Sequence, residues 1–192
     1  MAKKNDFRPD KPQSNLLGHL LLTQKQQKMA LKWGLYTILL VLLSVVQDVL
    51  LSQVRLLGAT TELVPCIIFL ISILEGSQRG SVFSLVAGLL YLFSGTAPGP
   101  YSMVAITVLS VGVSIFRQTF LQESFSSTVL CIAAAMLLYT LTNFAFGLFL
   151  GLTHAARFHG FLITAGLSLL AVPILYPILK LISTIGGQLW KE

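Results

Sequence analysis

The chain has 192 residues, of which 55% are hydrophobic and only 10% charged, and its mean hydropathy is +0.81. A soluble domain carries roughly 25% charged residues, so the composition excludes a water-soluble globular protein and points to an all-α integral membrane protein. The formal net charge of +6 comes with no nucleic-acid-binding motif, and its meaning lies in membrane topology.

Residues 1–28 mix charge with Pro, Gln and Asn and read as a cytoplasmic tail. Its Lys3, Lys4, Arg8 and Lys11 are a solvated topology signal, or else a contact for anionic lipid headgroups or an acidic partner. Residues 29–192 are the transmembrane domain. Six apolar segments are predicted in it, at about 31–52, 61–75, 80–95, 101–121, 127–151 and 160–184. The stretch from Glu62 to Ile106 organises them: an apolar run opened by Pro65, a polar break at Arg79, a short apolar run, the Pro/Gly turn SGTAPGP and a further apolar run, with no charge between Arg79 and Arg117. In a bilayer the backbone must satisfy itself internally, and short helices joined by tight turns do so.

Charge placement tests the division. With the N terminus inside, eleven of the thirteen basic residues fall on the cytoplasmic side and only Arg55 and Arg157 outside, so the positive-inside rule predicts six spans with both termini cytoplasmic. The expected architecture is a bundle of six transmembrane helices.

Small residues mark candidate packing faces. Gly80, Ser84 and Gly88 recur at four-residue spacing in the third segment, Asn143, Gly147 and Gly151 in the fifth, and Gly160, Thr164 and Ser168 in the sixth. In lipid such stripes let helix backbones approach closely, although Gly and Ser are also simply common in transmembrane helices. Pro173 and Pro177 are expected to kink the sixth segment.

Asp48 is the one acidic residue well inside an apolar run, which makes it a functional candidate by default. It is a polar contact to another helix or partner, an interfacial carboxylate without special role or, as the least favoured reading, a proton-coupling group; Gln47 and Gln53 beside it add a polar outer patch. Tyr91, Tyr139 and Asn143 either line a polar cavity or serve as an interfacial anchor and an interhelical hydrogen bond. Cys66 and Cys131 sit in apolar runs as small buried hydrophobes. His154 and His159, with Arg157, form a weak metal signal that reads better as headgroup contacts. No catalytic carboxylate pair, phosphate loop, activated nucleophile or HExxH helix is present. The expectation is a protein without enzymatic activity, cofactor or metal.

A Gln-bearing first helix (VVQDVLLSQ), a second opened by Pro (ELVPCIIFLISIL) and then GSVFSLVAGLLYLFSGTAPGPYSM together resemble the rod shape-determining protein MreD family. Pro65, Gly80, Phe83, Gly88, Leu89 and Gly99 fall where that family's loose pattern wants them, while the acidic residue usual after the Gly-Leu pair is replaced, with Tyr91 near its place. The resemblance covers nearly the whole apolar part. It implies a non-catalytic inner-membrane component of the cell-wall elongation machinery. Its implied partners are an MreC-like single-span protein and, through it, RodA and a class B penicillin-binding protein, with membrane lipids around them. It also implies the six-helix arrangement of the vitamin-binding S components of energy-coupling-factor transporters, which supplies the alternative function. S components commonly dock their partner through an Ala-x-x-x-Ala pattern in the first helix, and the first span here, LKWGLYTILLVLLSVVQDVLLSQ, contains no alanine.

Overall fold

A run such as LVPCIIFLISILE, apolar on every side, is stable only as a helix wrapped by other helices. The structure, a computed structural model, describes residues 24–51, 61–95, 97–120 and 124–185, and among them this run forms a helix buried along nearly its whole length. We number the helices in chain order. α1 (Gln24–Val46) continues into a π-helical turn (Gln47–Leu51) and is followed by α2 (Leu63–Glu75), α3 (Ser77–Phe93), α4 (Pro100–Phe120) and α5 (Phe125–Phe149). A single 3₁₀ turn (Ala155–Arg157) leads into α6 (Phe158–Leu169) and α7 (Val172–Thr184). The described residues contain no strand.

α2 is the axis of the molecule. It packs against α1, α3, α4, α5 and α7, and Ile67, Ile68, Phe69, Leu70 and Ile71 are wholly buried in consecutive positions, which covers every side of the helix. Its neighbours present apolar side chains outward instead, among them Ile38, Val82, Val108, Leu130 and Leu181, as surfaces facing lipid do.

Three stretches, Gln26–Val49, Pro100–Thr119 and Phe125–Phe149, are long and apolar enough to cross a membrane, and a fourth arises if α6 and α7, bent by 47° at their junction, are counted together. α2, with 13 residues, reaches only about 20 Å at about 1.5 Å per residue, short of a ~30 Å hydrocarbon core. Burial on all sides lets so short a helix sit at membrane depth.

Several expectations shift. The tail expected over 1–28 lies outside the described residues up to 23, and α1 already begins at Gln24. The last segment is two helices whose break precedes Pro173. Pro173 stands in the first turn of α7, where a missing N–H costs nothing, and Pro177 is accommodated inside α7.

α2 and α3 form a hairpin hinged at Gly76, whose φ of 84° is open to glycine and strained for other residues. Gly80 is where the two legs nearly touch: a Cβ there would lie 2.6 Å from the carbonyl oxygen of Ser72. Gly88, further along the same stripe, faces Met103 of α4, and Ser84 between them is buried. Of the other stripes, Asn143 and Gly147 are buried, but Gly147 faces Thr153 of its own following loop. Gly151, at φ 70°, ends the helix and packs on nothing, and Gly160 likewise has open space where a Cβ would stand. These last two are not packing contacts, because the chain turns away at one and the other sits on the first turn of α6 with nothing opposite it.

Candidate functional site: the two ends of the central helix

A helix leaves four backbone donors unsatisfied at its start and four acceptors at its finish. For a helix buried at both ends, side chains from elsewhere must supply the partners, and these define two polar sites.

At the Glu75 end, Ser114 of α4 donates to the Ser72 carbonyl (2.9 Å) and Arg117 donates through Nη1 to the Ile73 carbonyl (2.8 Å). The Ser72 hydroxyl reaches Ser114 Oγ (2.9 Å), and the Gly76 N–H also donates to the Ser72 carbonyl (3.1 Å). The Glu75 carboxylate accepts from Lys32 Nζ at 2.6 Å and from the Tyr36 hydroxyl at 2.7 Å, both on α1. Lys32 and Glu75 are each more than nine-tenths buried as side chains. The cations Lys32 and Arg117 stand at the negative end of the helix dipole. Among the described residues only Arg117 Nε and Ser110 Oγ stay without a partner here.

At the Glu62 end all four donor positions of the first turn are accounted for. Gln47 Oε1, from the π-helical turn after α1, accepts from the N–H groups of both Leu63 (2.7 Å) and Val64 (3.0 Å). Ser168 Oγ, from α6, accepts from the Glu62 N–H (2.9 Å), and Pro65 has no N–H to satisfy. This explains three residues the sequence singled out without a role: Gln47 caps a helix, Pro65 occupies a position with no donor to lose, and Ser168 of the sixth-segment stripe is a hydrogen-bond acceptor rather than a packing gap.

The side chains around this end are less well served. The hydroxyls of Tyr91 and Tyr139, Asn143 Oδ1 and Glu62 Oε2 are all buried without a hydrogen-bond partner among the described residues. Tyr91 and Tyr139 are at most 1% exposed. The Tyr91 and Tyr139 hydroxyls face each other, with Gln47 beside the first and Asn143 beside the second, close to hydrogen-bonding range but without the geometry of a formed bond, and the Glu62 carboxylate acts on both from a distance. The half-buried Asp48 acts on Tyr91 from the turn after α1, at the edge of a buried cluster drawn from α2, α3 and α5, and Tyr139 also meets Phe69 edge to face (6.1 Å). An unpaired polar group in a low-dielectric interior is costly, so four such atoms gathered at one end of α2 make that end the candidate site.

The remaining candidates fall elsewhere. Phe83 packs against Trp33 and Tyr36 of α1 (5.6 and 6.1 Å), and Leu89 is half-buried. Gly99 precedes α4, and its carbonyl accepts from the Ser102 N–H and hydroxyl. His154 and Arg157 at the 3₁₀ turn and His159 in the first turn of α6 are exposed, and the described residues hold no group of three His, Cys, Asp or Glu able to bind a metal ion. Cys66 and Cys131 are buried free thiols. Sequence reasoning missed Glu62, Glu75 and Lys32 as site residues. Their signal is that each acid stands at one border of the same apolar run, and such a carboxylate needs a partner if the run is buried.

No family model, characterised protein or solved structure matches the chain.

Proposed function

We propose that this protein is a non-catalytic membrane scaffold of the MreD kind, a regulatory component of bacterial cell-wall elongation that binds an MreC-like single-span protein and, through it, RodA and a class B penicillin-binding protein. The observation that carries the proposal is the filling of the bundle centre by α2, whose Ile67–Ile71 side chains are wholly buried. A scaffold needs a solid interior and a lipid-facing surface for a partner's helix, where packing and a few polar contacts worth about 1–2 kcal/mol each drive association.

In this reading α2 and α3 are two short spans, α6 and α7 one broken span, and the bundle has six spans. Of the described basic residues, Lys28, Lys32, Arg79, Arg117 and Lys180 gather at the Glu75 end and Arg157 stands at the other, which supports a cytoplasmic Glu75 end. The MreD-like pattern supports it further. Near the place of the missing acid stands Tyr91, on whose hydroxyl the Glu62 and Asp48 carboxylates act from a distance, so any role the family gives that position does not carry over.

One observation favours a second reading, an S component that binds a small molecule: the unpartnered phenols and amide of the Glu62 end. Against it, α1 contains a single alanine, Ala30, and so no Ala-x-x-x-Ala pair. The deciding experiment is affinity purification in mild detergent from the native membrane, alongside thermal denaturation with each B-group vitamin. Recovery of an MreC-like protein is the expected result. A vitamin-dependent rise in melting temperature, without such a partner, overturns the scaffold.

A further inference from the structure

Between α1 and α3 the surface opens into a groove of about 460 Å³. Its walls are Trp33 and Leu40 of α1 and Val82, Val86 and Leu90 of α3, and one end is closed by Gln78 and Arg79. We propose that this groove holds one acyl chain of an anionic glycerophospholipid from the surrounding bilayer, with its phosphate against Arg79 and Gln78.

Length, volume and charge each point to that occupant. α1 and α3 both run antiparallel to α2: Lys32 and Gln47 on the α1 side meet opposite ends of α2, as do Gly80 and Tyr91 on α3. They are therefore parallel to each other, and the groove runs along the membrane normal. From Arg79 to Leu90 the α3 wall is about 16 Å long at about 1.5 Å per residue, close to one leaflet's share of a ~30 Å hydrocarbon core. The volume lies in the range of roughly 300–1,000 Å³ usual for small ligands.

The apolar wall faces outward, with Val82 67% and Val86 50% exposed, so hydrocarbon contact there is gained at little structural cost. Arg79 is exposed and forms no ion pair among the described residues, unlike Lys32, which Glu75 occupies. Arg79 stands about one turn before Phe83 on α3 and so marks the mouth of the groove. A guanidinium matches phosphate with paired donors, and Gln78 adds a neutral one. Basic sites between transmembrane helices recognise anionic headgroups in this way.

The proposal goes beyond the scaffold reading and needs only the membrane. The test uses the full chain in mild detergent, with phosphatidylglycerol and phosphatidylcholine of identical acyl chains supplied in equal amounts and the retained lipid measured by native mass spectrometry. One cation near a membrane surface is worth about 1 kcal/mol, or about fivefold. The wild type is expected to retain phosphatidylglycerol about fivefold over phosphatidylcholine, R79Q to lose that preference, R79K to keep most of it, and R157Q at the other end to behave as wild type. Equal retention by the wild type, or an undiminished preference in R79Q, overturns the proposal. A photo-crosslinking phenylalanine analogue in place of the exposed Val86 gives a second arm that depends on no buried residue. In cell membranes it should yield an adduct of lipid mass, and an adduct of protein mass assigns the groove to a partner's helix and overturns the lipid.

Discussion

At its Glu75 end α2 meets charged groups that have all found partners, since Lys32 and Tyr36 hold the carboxylate and Arg117 and Ser114 hold the last carbonyls. At its Glu62 end the backbone is equally well capped by Gln47 and Ser168, yet the side chains around the caps keep buried oxygens with nothing to bond. The same helix thus ends once at charged groups that each hold a partner, with only Arg117 Nε and Ser110 Oγ left over, and once at a cluster of four buried oxygens without a formed bond. The first kind of end is there to hold the fold, because any change to it costs stability. Buried oxygens without a formed bond carry a desolvation cost that substitution can measure directly.

The contrast between the two ends is broken most easily at the Lys32–Glu75 pair. Removing one partner of a buried ion pair costs about 3–5 kcal/mol, because the other charge is left uncompensated. Lys32→Met is therefore expected to lower the melting temperature in detergent more than Gln47→Leu, Gly80→Ala or Tyr139→Phe does. The double replacement Lys32→Met with Glu75→Met should recover most of that loss, as apolar substitutes for a buried pair often do. Equal loss in single and double variants would mean that packing, and not charge, closes this end.

Gln47→Leu probes the backbone caps of the other end. A buried group left unsatisfied costs about 1–3 kcal/mol, and here two N–H groups lose one shared acceptor. The variant should be clearly destabilised, with Gln47→Glu, which keeps an acceptor, closer to wild type. Gly80→Ala comes next. Its Cβ would stand 2.6 Å from a backbone oxygen that a flexible side chain's movement cannot relieve, and overpacking costs about 1–3 kcal/mol. Gly88→Ala, facing the Met103 side chain at 3.4 Å, should cost less. If Gly88→Ala is the worse of the two, the hairpin is not held at its hinge.

These sites differ in how visible they are in the sequence. The helices are legible because hydrophobic runs are local: segments expected at 61–75, 101–121 and 127–151 are found as Leu63–Glu75, Pro100–Phe120 and Phe125–Phe149. The caps are not legible, since Gln47 lies 16 positions from Leu63 and Ser168 lies 106 from Glu62, distances over which periodicity carries no information. Lys32 reads as one more topology signal, and only its meeting with Glu75 across two helices makes it an interior residue. Stripes of small residues are partly informative. Gly80 makes the closest approach, whereas Gly151 and Gly160 share its spacing and pack against nothing, because spacing places residues on one face without telling what that face meets.

The smallest expected effect is the most discriminating one. Tyr139→Phe removes a single hydroxyl that has no hydrogen-bond partner among the described residues and leaves the ring, with its edge-to-face contact to Phe69, in place. Deleting a buried unsatisfied group removes a desolvation penalty, which for such groups is about 1–3 kcal/mol, so Tyr139→Phe should be neutral or stabilising, opposite in sign to Lys32→Met. Asn143→Leu should follow it, to the extent that leucine fits the amide's space. Thermal denaturation in detergent measures both. If Tyr139→Phe destabilises the protein as much as Gln47→Leu does, its hydroxyl is held by an ordered water and the Glu62 end is as closed as the other. Should the variant be more stable but recover less of the partner that the wild type retains in mild detergent, the Glu62 end works at the expense of stability, and its buried phenols and amide become the place to look for what the protein engages.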